Sequence, residues 1–351
     1  MIVGLSGKGS IVGSKATVRL RFADAAIAER RVAGVASAAH GVAELRRRGV
    51  REIRLLVANG EHLSTAALED IRRACPTVTV ASAPDAARDR VDEVDFAVPT
   101  SKAVLLSTGK SSDGAVSRWI NRPISRCLSR VLLLVPGIRP WHATAVAALL
   151  GIAMFLSLLS GGSRGLVIGA LLFQAASIID GVDGEIARAT YRSSSQGAVL
   201  DTSVDMATNI GFFLGVTLCL TGLYGWPQAA AGLCATVLAA AGLTIMAWLS
   251  RRIGERGNFN FLKRYYRARF PTGMAAAVVD ALVIATSRDF FALAIAVVIV
   301  VGWGWVVTFS LLAFATVWFG FILLAIRPLL RETSGTDLGS SRISRGSPLG
   351  V

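Results

Sequence analysis

From Pro140 onward the chain is a succession of apolar stretches, each about as long as a bilayer's hydrocarbon core is thick. A helix needs about 20 residues to cross that core. Lipid offers backbone groups no partners, so each such stretch has to bond its own backbone as a helix. Spans are expected near residues 141–160, 165–182, 199–223, 228–250, 285–303 and 305–327. Gly161–Gly162, Gly222–Pro227, a basic stretch after Ser250 and Gly302–Gly304 interrupt the apolar runs. Composition agrees: 53% of residues are hydrophobic and 17% charged. That balance excludes a disordered chain and is foreign to a water-soluble globule. The expected fold is a mainly α membrane protein, a bundle of six transmembrane helices.

The 37 Lys and Arg against 23 Asp and Glu leave a formal charge of +14, and their placement explains it. Arg122, Arg126, Arg130 and Arg139 precede the first span, and Arg188 and Arg192 lie between spans two and three. Arg251, Arg252, Arg256, Lys263, Arg264, Arg267 and Arg269 lie between spans four and five, and Arg327, Arg331, Arg342 and Arg345 follow the sixth. The other three connections carry a single Arg, Arg164. The positive-inside rule then puts both termini in the cytoplasm, in a bacterial inner (plasma) membrane. The charge is thereby explained without a nucleic-acid partner. Cys75, Cys127, Cys219 and Cys234 are too scattered for a disulfide framework. His40, His62 and His142 are too far apart to read as a His-clustered metal site.

Residues 1–115 read as a small cytoplasmic α/β (Rossmann-like) domain, with no secretory signal at the N-terminus. Expected strands are Ala16–Phe22, Glu52–Ala58, Thr77–Ala81 and Ala103–Leu106. Expected helices cover Glu29–Arg48, stopped by Gly49, and a segment starting near Ser64. Residues 116–136 read as an amphipathic helix in the membrane interface. It has an Arg every fourth residue from Arg118 to Arg130, and Pro123 marks a kink or a restart. The membrane domain is then 137–331, and the Ser- and Gly-rich residues 332–351 form a flexible tail.

Between Pro136 and Ser250 there are five acidic residues, Asp180, Asp183, Glu185, Asp201 and Asp205, all inside DGVDGEIARATYRSSSQGAVLDTSVD. A carboxylate in or near a bilayer is costly unless paired or bound to a cation. Asp180, Asp183, Gly184, Ala187 and Arg188 share one stripe of a helix, and Gly197, Asp201 and Asp205 share another. Two antiparallel helices joined through Ser193–Ser195 would face four carboxylates at one another beside Arg188. Oxygen-only ligands suit a hard cation, Mg²⁺ or Mn²⁺, which keeps positions open for phosphate oxygens. Arg188 offers a phosphate bidentate hydrogen bonds, and the small residues leave room for a nucleotide. Together these point to phosphoryl-type transfer at the cytoplasmic surface. A cation transporter is the non-enzyme alternative, since intramembrane acids also line ion paths.

The window resembles the signature of the CDP-alcohol phosphotransferase family, D-x2-D-G-x2-A-R-x8-G-x3-D-x3-D, with Asp180, Asp183, Gly184, Ala187, Arg188, Gly197, Asp201 and Asp205 at every fixed position. The resemblance covers residues 116–331 and implies metal-dependent transfer of a substituted phosphate from a CDP-alcohol to a second alcohol, releasing CMP. It implies that Asp180, Asp183 and Asp201 ligate metal. Asp205 would ligate it too and act as the general base. Asp183, Gly184, Ala187, Arg188 and Gly197 would line the CDP pocket. It also implies a homodimer. Upstream, RVAGVASAAHGVAELRRRGVREIRLLVANG resembles the core of a sugar-nucleotidyltransferase fold. Its Gly-rich nucleotide loop followed by Arg and its later Pro-Lys are absent, and GLSGKGSIVG lacks P-loop spacing. The domain therefore reads as a degenerate, non-catalytic relative.

The expected donor is CDP-diacylglycerol, from the membrane setting, and the expected acceptor a polyol or polyol phosphate, in phospholipid synthesis. A CDP-inositol-type donor with a soluble inositol phosphate is the enzyme alternative. Arg288 and the segment RRIGERGNFNFLKRYYRARF either form an anion pocket for the acceptor or meet anionic membrane lipids.

Overall fold

The computed structural model describes residues 5–6, 17–50, 52–57, 62–80, 92–109, 114, 116–253, 260–285 and 287–343. Two compact units divide the chain: residues 1–111, 122–142 and 181–193 form one, and 112–121, 143–180 and 194–351 the other.

The first unit holds a five-stranded sheet. Strand β1 is Leu5–Ser6, β2 Thr17–Phe22, and a short helix α1 covers Ala25–Glu29. A hairpin, β3 (Arg31–Val32) and β4 (Val35–Ala36), follows, then α2 (Ser37–Arg47), β5 (Glu52–Val57) and α3 (Thr65–Ala74). Strands β6 (Thr79–Val80) and β7 (Asp92–Phe96) and helix α4 (Ser101–Ser107) complete it. The strand order is β1-β7-β2-β5-β6. Strand β2 runs parallel to β5, from Thr17 beside Glu52 to Phe22 beside Val57, and parallel to β7 on its other edge. The core is Val18, Leu20, Phe22, Ile53 and Leu55 against Val42, Leu45 and Ile71.

Several expectations shift. The helix expected over Glu29–Arg48 begins only at Ser37. Ala33 and Gly34 take φ of +47° and +84° and turn the chain back on itself as a hairpin first. Residues 103–106, read as a strand, lie in α4, where the Thr100 hydroxyl caps the helix by accepting from the Ala103 N–H at 3.2 Å. A short apolar run cannot by itself separate a strand from a buried helix turn. Strand β7 carries Asp92, Glu93 and Asp95 and gave no apolar signal. The Ser64 start holds, with its hydroxyl capping α3. GLSGKGSIVG lies almost wholly outside the described residues.

A π-helical turn, Ser117–Asn121, gives way to α5 (Arg122–Leu132), whose second residue is Pro123. Proline has no N–H to give the helical ladder, and it stands directly after the π-helical turn, where the ladder is already irregular. Helix α5 is amphipathic, with polar side chains turned inward and apolar ones outward. Arg122, Ser125 and Ser129 are buried, while Ile124, Leu128 and Val131 are exposed.

The remaining helices are α6 (Pro140–Leu159), α7 (Gly162–Ala189), α8 (Ser195–Tyr224), α9 (Trp226–Arg252), α10 (Asn260–Arg269), α11 (Gly273–Ala285), α12 (Arg288–Val300) and α13 (Val307–Ile343). Helices α6 to α9 and residues 304–330 are long and apolar enough to cross a membrane. The expected fifth span, 285–303, differs: α11 and α12 meet at a 64° bend and together make a sixth candidate. Helix α13 runs on to Ile343 where a flexible tail was expected, and residues 344–351 lie outside the described residues. In the second unit Phe173 stacks on Phe212 with centroids 4.0 Å apart, flanked by Phe213, Phe291 and Phe314. Leu158 of α6 seats where Cβ atoms on Gly169 and Gly215 would stand only 2.5 and 2.8 Å away, so those glycines let α7 and α8 close on it. Leu149, Val237 and Leu324 are exposed, as lipid-facing side chains are.

Candidate functional site

Asp180 comes from α7, and Asp201 and Asp205 from α8, one turn apart. The start of α8 fixes their phase: the Ser194 hydroxyl accepts from the Gly197 N–H at 3.0 Å. One carboxylate oxygen from each of the three aspartates lies within 4.8 Å of the others. Three like charges so close repel unless something positive joins them. Arg288, in the first turn of α12, supplies one positive charge. Its guanidinium pairs with Asp205 and lies 3.5 Å from Asp180, over the Phe173 ring at 5.8 Å. Arg288 brings one positive charge to three acidic groups. A set of oxygen donors fits a hard divalent cation such as Mg²⁺ or Mn²⁺.

The sequence expected four carboxylates together, and the structure gathers three. Asp183 is one turn beyond Asp180 on α7 and is buried. Gly184 is the fixed small residue across which Arg188 folds: a Cβ there would stand 2.8 Å from Arg188 Nη1. The Arg188 Nε–H donates to the Thr108 carbonyl at 2.7 Å, at the end of α4. Ala187 is half-buried, and its carbonyl accepts from the Arg192 N–H at 2.9 Å. Gly197 is exposed in the first turn of α8.

Other residues emerge only in three dimensions. Glu185 is 0% exposed and accepts from Ser125 Oγ at 2.7 Å, Ser129 Oγ at 2.7 Å and Arg122 Nη1 at 3.1 Å. Gly181 makes room for this contact, since a Cβ there would lie 3.3 Å from both Arg122 Nη1 and Ser125 Oγ. The spacing of Ser125 and Ser129 with Arg122 was the available signal, obscured by reading α5 as a basic stripe. In the second unit Asp289 Oδ1 accepts from Asn121 Nδ2 and Ser177 Oγ, each at 2.9 Å, and Gln174 Nε2 donates to Asn121 Oδ1 at 2.9 Å. Of the basic segment, Arg267 pairs with Asp280 at 2.9 Å, Arg252 covers the Trp248 ring, and Tyr266 is buried with its hydroxyl on the Phe321 carbonyl. Arg256 lies outside the described residues.

Residues 139–310 match the family model described as CDP-alcohol phosphatidyltransferase. Proteins named bifunctional IPC transferase and DIPP synthase are similar to parts of the chain. The one from Thermococcus kodakarensis is 41% identical over 106 residues, 30% of this chain and 23% of that protein. That from Archaeoglobus fulgidus is 37% identical over 112 residues, 31% of this chain and 21% of that protein. That from Rubrobacter xylanophilus is 37% identical over 134 residues, 37% of this chain and 30% of that protein. The chain thus matches less than a third of the length of these curated relatives.

Proposed function

We propose that this chain, whose residues 139–310 match the CDP-alcohol phosphatidyltransferase family model, transfers a substituted phosphate group from a CDP-alcohol to the hydroxyl of an acceptor alcohol, releasing CMP. The observation that carries this is the convergence of Asp180 from α7 with Asp201 and Asp205 from α8, with an arginine among them. A bound Mg²⁺ or Mn²⁺ would neutralise the donor diphosphate and the leaving CMP. Asp180, Asp201 and Asp205 would hold it, with Asp183 following on the same helix. The Asp205 carboxylate takes the proton of the acceptor hydroxyl as the new oxygen–phosphorus bond forms and the bond to CMP breaks. Gly184, Ala187, Arg188 and Gly197 complete the signature, and Arg188 binds a donor phosphate. Arg288 offers an anionic acceptor its guanidinium. The arginines on the connections expected to be cytoplasmic put this chemistry on the cytoplasmic face.

The donor has two readings. The membrane setting favours CDP-diacylglycerol. The relatives named IPC transferase and DIPP synthase favour a CDP-inositol-type donor with a soluble inositol phosphate. Purified protein is offered CDP-diacylglycerol or CDP-inositol with a panel of polyols and polyol phosphates, and CMP is followed with and without chelator. Metal-dependent CMP release is expected. Full turnover under chelation, or divalent-ion flux without CMP release, would overturn the enzyme reading. Partition of labelled product between water and organic solvent separates the two donors.

A further inference from the structure

The first unit ends its grip on α7 in an unusual way. The Arg192 N–H reaches back to the Ala187 carbonyl, the six-to-one bond of a Schellman helix end. In that motif the residue before the last is left-handed and is most often glycine. Here it is Tyr191, with φ of +56°. A bulky side chain holds that backbone only where surrounding contacts over-determine it.

The contacts are explicit. The Tyr191 ring packs on the α/β core, 5.6 Å from the His40 ring, and its hydroxyl lies 2.9 Å from His40 Nδ1. His40 Nε2 lies 2.9 Å from the Val32 carbonyl, which can only accept. Nε2 therefore carries the hydrogen, Nδ1 is bare, and the tyrosine hydroxyl donates. Beside it, Thr190 Cγ2 lies 3.4 Å from where a Cβ on Gly34 would stand, so the hairpin tip closes on the same turn. Arg192 Nη1 donates to the Ile138 carbonyl at 3.0 Å, and Arg188 Nε to Thr108 at the end of α4.

We infer that the α/β domain is a holder for the end of the signature helix, and that Tyr191 and His40 are the positioning residues of the joint, fixing Arg188 where it meets the donor's phosphate. This gives a use to a domain that lacks the nucleotide-binding features of its look-alikes. It rests on the proposed role of Arg188, and the test reads the joint and that role separately.

Full-length protein is compared with Tyr191→Gly, Tyr191→Phe and His40→Ala. Glycine suits the left-handed backbone, so Tyr191→Gly relieves the turn while removing the joint. The donor KM, measured with CDP-diacylglycerol and with CDP-inositol, is expected to rise about tenfold in Tyr191→Gly and His40→Ala and about threefold in Tyr191→Phe. The acceptor KM and kcat should stay within about twofold. A fall in kcat at constant donor KM would reduce the joint to a folding role and overturn the inference, as would unchanged kinetics. Hydrogen exchange is the second readout. Amides 188–193 should exchange about tenfold faster in Tyr191→Gly and His40→Ala, and unchanged exchange refutes the joint. Should the native protein turn over neither donor, the transferase reading falls and exchange alone decides the joint.

Discussion

Glu185 and Asp180 sit on one helix, five residues apart, and meet opposite fates. Glu185 is wholly enclosed and has three donors, one of them a guanidinium. Asp180 and Asp205 keep 29% and 28% of their side chains exposed and share Arg288 with each other. A carboxylate with all its donors supplied by the protein fixes helices; a group of half-buried carboxylates has capacity left for an outside cation. The acid that does the holding is therefore the one least available for chemistry, and sequence alone gives both the same letter class.

The sharpest way to break this contrast is Asp205→Asn. Turnover should fall by about 10²- to 10⁴-fold while CDP-alcohol binding persists. CMP release and a binding isotherm measure the two, and loss of binding alone would count against the base role. Glu185→Ala should do the reverse. Leaving Arg122 buried without its partner costs about 3 kcal/mol or more, seen as a lower thermal midpoint in detergent, with the activity of the surviving folded fraction largely kept. Ser125→Ala and Ser129→Ala should each lower stability by about 1 kcal/mol, in denaturant or thermal unfolding, without touching KM.

The smallest expected effect is on pH. Burial pushes His40 below its ordinary 6.5, with Arg47 pushing the same way and the Val32 carbonyl and Asp70 opposing. Tyr191, facing it, is raised to about 12 by burial and so stays protonated. The unfolded chain thus binds a proton at His40 that the folded chain refuses. Stability from this group is full above pH 6.5 and declines as pH falls from there toward the lowered value. Unfolding between pH 8 and 5 should show that decline, and His40→Gln should flatten it.

What could be read in advance was whatever depends on neighbours along the chain. The starts of α6 to α9 fall within four residues of the expected ones, though α7 runs seven residues past its expected end, because bilayer thickness sets the least length of an apolar helix and not the most. The Asp201–Asp205 pair stands on one face because the helix repeat puts residues four apart together. Ser64 announced α3 because a hydroxyl can cap the N–H groups next to it. Where contacts come from far along the chain, the reading failed. Residues 103–106 and 30–36 changed class because the apolar run at Ala103 and the helical pattern after Glu29 fit more than one neighbourhood.

The sequence by itself determined a chain of membrane-length helices with acids phased toward a shared face, since length and periodicity are properties of consecutive residues. Only the tertiary structure decided which of those acids are already satisfied and which stay half-buried. It also decided that Tyr191 holds a backbone turn suited to glycine, because His40 and Gly34 reach that turn from far along the chain. Electrostatic compensation and strain are set by the neighbours a fold brings in, and no local pattern contains them.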